Sequence, residues 1–345
     1  MSVKEFIKSK TLGLFVKTGG LISRQLYGGK GFIICLHRVL PRSAHHPFWK
    51  ESGMAVSPEY LEWLITSIRK KGFDIVSLQD VVDILRNNTK RPFAAITLDD
   101  GWRDNLIYGY EVFKKHNCPF AIFVSNCFPN HTALDWADAL TDILCENNLI
   151  EFEYESQFFS YKVTSRDDVV KCYQLIRYFI LDSQSLEVMK NKINAVFKTK
   201  KKPLICDALT WNEINQLAKE KLCTIGAHTM NHVPLAKFSL EEAACEIEES
   251  KRELEEKTGN NINFFAYPFG TKNECSLREF DMAEKAGFLM SVTGRQGNVS
   301  ADHKRHLQAV PRFPIGETTG NERLNYITNG ILHFSFNGFK KTITD

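Results

Sequence analysis

Residues 93–101 read FAAITLDDG, a short apolar run that stops at two adjacent carboxylates, Asp99 and Asp100, followed by a glycine. A continuous apolar run of this length, closed by turn residues, is the pattern of a strand covered on both faces, as in a parallel sheet. Asp-Asp-Gly by itself is also an ordinary turn. Two carboxylates this close oppose each other's ionisation unless a cation lies near them. In a parallel sheet the carboxyl ends of the strands share one face, and ligands gather there.

Similar runs recur along the chain. FIICL (32–36), FDIVSL (73–78), FAIFV (120–124), LCTIGA (222–227), NFFAY (263–267) and FLMSV (288–292) read as strands. Helical patterns lie between them near 58–70, 79–87, 105–116, 211–220, 240–257 and 276–286. The helix from 240 carries the clearest signals: Ser239 with Glu242 makes a capping box, and Gly259 closes the helix. Alternation of this kind predicts an α/β fold built on a parallel sheet or barrel. Residues 127–206 break the rhythm. They are helix-biased around 135–147 and 166–197, end near the charge run KTKKK (198–202), and read as an insertion between two β/α units.

The totals are those of a globular chain: 345 residues, 43% hydrophobic, 25% charged, net charge +3. Six basic residues against Glu5 give the first thirty residues +5, which leaves −2 for the rest, so no nucleic-acid surface is expected. Residues 1–26 can form a basic amphipathic segment suited to peripheral contact with anionic lipid. Nine cysteines with no CxxC pair point to a reducing compartment, and no signal peptide is visible, so the expected location is cytoplasmic.

The strand ends deliver chemistry. LCTIGA leads into HTMNH, with His228 and His232 four residues apart; NFFAY leads into the turn Tyr267-Pro268-Phe269-Gly270; FIICL leads into His37 and Arg38. Two imidazoles and one carboxylate are a common open ligand set for a divalent metal, and the second Asp can then act as a base beside metal-activated water. No Glu follows His228, which excludes the HExxH pattern.

LDDG, HTMNH and YPFG, in this order, resemble the NodB-homology polysaccharide deacetylases, carbohydrate esterase family 4, over roughly residues 31–315. The resemblance implies a distorted (β/α) barrel, here with a helical insertion, in a catalytic domain over 31–335 preceded by the basic segment 1–30. It implies metal-dependent hydrolysis of an N-acetyl group on an amino sugar, with Asp99 as catalytic base and Asp100, His228 and His232 as ligands of a divalent ion, zinc being the expected one. Thr229 matches the small hydroxyl residue between the histidines, and the Phe269 N–H matches an oxyanion contact. Two family features are absent: the Arg of the third motif that tethers the base, and an obvious late Leu-x-x-His acid. His37, in a strand end resembling that of the poly-N-acetylglucosamine branch, is the candidate acid, with His306 as rival. Arg312, after the last strand, is the candidate tether. Trp102, Trp136 and Trp211 are candidates for stacking on sugar. The expected partners are an amino-sugar glycan, a sugar nucleotide or a lipid-linked saccharide, a deformylase acting on a lipid-linked sugar being the nearest variant. A non-catalytic carbohydrate-binding domain and a hydrolase of a non-sugar amide stay open.

Overall fold

The computed structural model describes residue 16, residue 18 and residues 20–46, 54–89, 91–133, 136–198 and 207–344. Its strands, in chain order, are β1 (Gly31–Leu36), β2 (Arg38–Val39), β3 (Ala55–Val56), β4 (Asp74–Ile75), β5 (Phe93–Leu98), β6 (Phe120–Val124), β7 (Leu149–Tyr154), β8 (Gln157–Lys162), β9 (Cys223–Ala227), β10 (Phe264–Ala266), β11 (Met290–Val292) and β12 (Phe313–Pro314). Among the described residues eight of these make one sheet in the order β11-β10-β9-β6-β5-β1-β12, with β4 alongside the start of β5. Every pairing in it is parallel. β1 and β5 are buried at all six positions, which explains why they are apolar without alternation.

Register then decides what meets at the carboxyl ends. Leu36 pairs with Leu98, so His37 and Asp99 leave neighbouring strands abreast. Val124 pairs with Ala227 and Ala227 with Phe265, so His228 emerges between Ser125 and Ala266. The sheet also curls. Val310 forms a parallel bridge to Val292 of β11, and three residues later Phe313 pairs with Ile34 of β1. Residues 310–314 thus touch both edges, and the result is the expected distorted barrel.

Two elements differ from the sequence expectation. The run at 73–78 is a two-residue strand, because Ser77 caps a helix at Leu78–Arg86: its hydroxyl accepts from the Asp80 N–H and the Asp80 carboxylate accepts back from the Ser77 N–H. The helix expected over 105–116 opens with a π-helical turn at Asn105–Gly109 before continuing as α-helix over Tyr110–Lys115. The helix Leu240–Thr258 has the Ser239/Glu242 box and the left-handed Gly259 cap that its sequence announces.

The insertion enters between adjacent strands β6 and β9. It has helices Trp136–Glu146, Arg166–Leu181 and Leu186–Phe197, and between the first two an antiparallel hairpin, β7 with β8. The hairpin turns on Glu155 and Ser156, both at positive φ, a tight two-residue turn lacking the Asn-Gly or Asp-Gly that usually marks it. The basic segment expected over 1–26 lies largely outside the described residues. Its described end, the helix Leu21–Tyr27, packs on the C-terminal helix Ile331–Asn337 through Tyr27, Ile331 and Phe334. Most of KTKKK, and Cys206, also lie outside the described residues; the eight described cysteines are free thiols. No helix among the described residues is long and apolar enough to cross a membrane.

Gly226, in β9, has no room for a side chain: a Cβ there would stand 2.5 Å from the Phe123 ring and 2.9 Å from the Phe264 carbonyl oxygen. Gly226→Ala is expected to cost about 1–3 kcal/mol by overpacking. Urea unfolding checks this, and an unchanged midpoint would refute it.

Candidate active site

At the carboxyl ends of the sheet lies a cavity of roughly 290 Å³, lined by His37, Asp99, Asp100, His228, His232, Phe269 and Arg312 together with side chains of the insertion. The two neighbouring aspartates face different partners. Asp99 is 4% exposed and held bidentately by Arg312: Nη1 donates to Oδ1 at 2.6 Å and Nη2 to Oδ2 at 2.8 Å. Arg312 is itself fixed by donating to Thr97 Oγ1 (3.0 Å) and the Thr293 carbonyl (3.2 Å). The Cys35 thiol, which burial holds well above its usual pKa, donates to Asp99 Oδ2 at 3.4 Å. Burial pushes the Asp99 carboxyl upward, but the Arg312 charge, with His228 beyond it, outweighs this and leaves it below its ordinary value. Asp99 is therefore an ionised acceptor at neutral pH.

Asp100 points the other way. Its Oδ2 accepts from the Trp102 indole N–H at 2.9 Å, and Arg38 stacks 4.3 Å over the Trp102 ring. Its Oδ1 lies 3.5 Å from His228 Nε2 and 3.2 Å from His232 Nε2, yet it is buried with no properly aligned hydrogen bond. His228 Nδ1 is 2.6 Å from the Ala266 carbonyl oxygen, a contact that needs a proton on Nδ1. In the neutral imidazole Nε2 then presents a lone pair to a carboxylate oxygen. Ligand atoms of these three residues all fall within 4.8 Å of one another. Lone pairs converging on one buried point are what a divalent cation fits, so the donor set suits a metal.

Cys35, His37 and Asp99 cluster equally closely. That group is a poor metal site, because Arg312 already occupies both Asp99 oxygens and the Cys35 thiol keeps its proton. It does place His37 next to Asp99, at the cavity wall.

The loops are held in backbone conformations that non-glycine residues rarely adopt. Asp100 (φ 76°), Thr229 (φ 64°), His232 (φ 53°) and Phe269 (φ 61°) are all left-handed. The His loop is pinned by Asn126 and Cys127 N–H donating to the Thr229 and Met230 carbonyls. Buried Glu246 also holds it, accepting from both the backbone N–H and the side-chain amide of Asn231. Phe269 sits over His232, ring centroids 4.8 Å apart, and its backbone N–H has no acceptor among the described residues. Gly270 must be glycine: its φ is 63° and a Cβ would lie 2.2 Å from the Gly294 nitrogen.

Of the other sequence candidates, Trp102 and Trp136 line the cavity. Trp211 does not; its indole N–H donates to Asn130. His306 is exposed in a separate depression beside Leu307 and Phe280, away from the aspartates. Several contributors carried no motif. Arg38 pairs with Asp104 at 2.8 Å and with Asp138 at 3.2 Å, tying the β1 end to the insertion. The insertion itself supplies Asp138, Tyr173, Arg177, Met189, Lys190 and Ile193 to the cavity wall. The one sequence signal for Arg38 was its place beside His37 at a strand end.

The curled parallel β/α sheet thus carries, at one mouth, a His-His-Asp cluster and a second aspartate bound by arginine. The polysaccharide deacetylase family model matches residues 178–289, a segment that holds His228, His232 and Phe269. YxkH of Bacillus subtilis (strain 168), assigned as a polysaccharide deacetylase, is 29% identical over 94 residues, 27% of this chain; that match spans only 32% of the length of YxkH. Among solved structures, the Streptococcus pyogenes deacetylase PplD in complex with acetate superposes with TM-score 0.56 at 16% identity, over 86% of this chain and 97% of PplD. IcaB from Ammonifex degensii gives 0.54 at 17% identity, over 88% and 99%. The family model thus matches one segment of the chain, and the fold is similar to that of PplD and IcaB.

Asp138 yields a pH prediction. Burial, with Asp100 and Asp142 adding repulsion against the attraction of Arg38, raises its pKa from 3.8 to about 6. A raised carboxyl pKa means the folded state holds a proton that the unfolded state releases, so this group's contribution to stability falls as pH climbs from about 4 to about 6. Asp138→Asn is expected to match the wild-type Tm near pH 4 and exceed it at pH 7. A Tm difference that does not change with pH would overturn the assignment.

Proposed function

We propose that the protein is a divalent-metal-dependent amidohydrolase that removes the N-acetyl group from an amino sugar in a glycan or glycan precursor. The observation that carries this reading is the separation of roles in one dipeptide: Asp99 is locked to Arg312, while Asp100 faces two imidazoles with an unpaired oxygen. Asp100, His228 and His232 would hold the ion, and two nitrogens with one oxygen suit zinc. A divalent cation bound there supplies Lewis-acid activation of water and of the amide carbonyl. Asp99 accepts the proton of the attacking water, and Arg312 keeps it ionised and aimed. The Phe269 N–H, left without an acceptor, donates to the carbonyl oxygen as that oxygen gains charge. His37, beside Asp99, returns a proton to the departing amine nitrogen, which leaves as the free amino sugar with acetate as co-product. The name of PplD, a deacetylase with acetate bound, and the family match over 178–289 support the same chemistry.

The test is acetate release from N-acetylated amino sugars, run beside metal analysis. Asp99→Asn is expected to retain zinc and lose about 10²–10⁴ in turnover, the usual contribution of a general base. Asp100→Ala is expected to lose both zinc and turnover. Full activity in either variant would refute the mechanism. His37→Ala should keep zinc and slow by a similar factor; unchanged turnover would remove His37 from it.

A further inference from the structure

The insertion places charge where the chemistry does not need it. Arg177, from the helix Arg166–Leu181, is half-buried, with its guanidinium 5.1 Å over the Phe269 ring, whose other neighbour is His232. Lys190, from the next helix, lines the same cavity. The remaining cavity arginine, Arg312, is matched by Asp99, and Arg38 nearby by Asp104 and Asp138. Among the described residues Arg177 and Lys190 have no carboxylate within ion-pair distance. A guanidinium laid on an aromatic face keeps its N–H donors free at its edge, and that planar fork matches the oxygens of a phosphate. Summed through Phe269, Arg177 lies at most about 10 Å from the His232 ring, within the span of an amino sugar together with a phosphate it carries.

We infer that Arg177, assisted by Lys190, binds a phosphate carried by the amino-sugar substrate, so that the preferred substrate is a sugar phosphate ester and not an uncharged polymer. The inference rests on the proposed amide hydrolysis at the same site. The side chains flanking Lys190 in the cavity, Leu186, Met189 and Ile193, are apolar and offer the far side of that phosphate a hydrophobic wall. The phosphate can belong to a simple 1-phosphate, a nucleoside diphosphate sugar or a polyprenyl phosphate sugar, and the arms of the test separate these.

The zinc-loaded enzyme is assayed on the methyl glycoside of N-acetylglucosamine, N-acetylglucosamine 1-phosphate, UDP-N-acetylglucosamine and a polyprenyl-phosphate-linked N-acetylglucosamine in detergent. At least one phosphorylated substrate is expected to exceed the methyl glycoside in kcat/KM, with the gain in KM. Arg177→Gln should shrink that ratio about 10- to 100-fold, the loss of one or two charge-assisted hydrogen bonds, and Arg177→Lys should retain part of it. Because each variant is its own reference on the neutral substrate, misfolding does not imitate a changed ratio. Equal use of neutral and phosphorylated substrates, or a ratio unmoved by Arg177→Gln, overturns the phosphate site while the deacetylase reading stands. If no substrate is hydrolysed, calorimetry with N-acetylglucosamine 1-phosphate decides: binding weakened by Arg177→Gln supports the phosphate site without the deacetylase, and equal or absent binding overturns it.

Discussion

Arg312 and Asp99 form a buried ion pair that joins the segment closing the sheet to the strand from which the two aspartates emerge. Both side chains are almost wholly removed from water. A charge taken into such a place is costly alone, and removing one member of a buried pair typically destabilises by about 3–5 kcal/mol. The sheet can therefore close only with Arg312 on Asp99, and Asp99 can stay ionised only with the sheet closed. Closure of the fold and ionisation of Asp99 are one event. The pair also frees Asp100: with Arg312 committed to its neighbour, Asp100 has the imidazoles and Trp102 to itself.

The same logic accounts for the strained turns. Left-handed backbone at a non-glycine residue costs on the order of 1–3 kcal/mol and survives only where its surroundings over-determine it. Here three such residues, Asp100, His232 and Phe269, line one cavity, and Thr229 sits in the loop that carries His232. Each is anchored by the strand it leaves or by a bracing partner: the β6 extension and Glu246 for the His loop, Gly270 against Gly294 for Phe269. What the strain achieves is aim. A relaxed turn after β9 would send His232 away from Asp100.

Much of this was legible in sequence. Strands buried on both faces announce themselves as unbroken apolar runs, so β1, β5, β6 and β9 fall within a residue or so of expectation. From those runs follow the shared mouth, and the meeting there of His37, Asp99, Asp100, His228 and His232. Arg312 was placed only by its position after the last strand; nothing in VPRFPI states that its guanidinium spans β1 to reach β5. The hairpin within the insertion was missed because its turn residues, Glu155 and Ser156, carry no turn signature, although Ile150 and Phe152 alternate with exposed neighbours. Contributions from the insertion to the cavity were illegible for a different reason. They depend on how a separate set of helices docks, and sequence periodicity reports which face of a helix is buried, not against what.

The insertion leaves β6 and returns to β9, two strands that lie side by side. Its two attachment points are thus neighbours on a rigid frame, while the aspartates, the histidine loop and Arg312 all sit on the frame itself. An element hung in this way can change in length, composition and shape at little entropic cost to the scaffold. The appended helices can therefore change separately from the frame, which alone keeps the aspartates, the histidine loop and Arg312 in register.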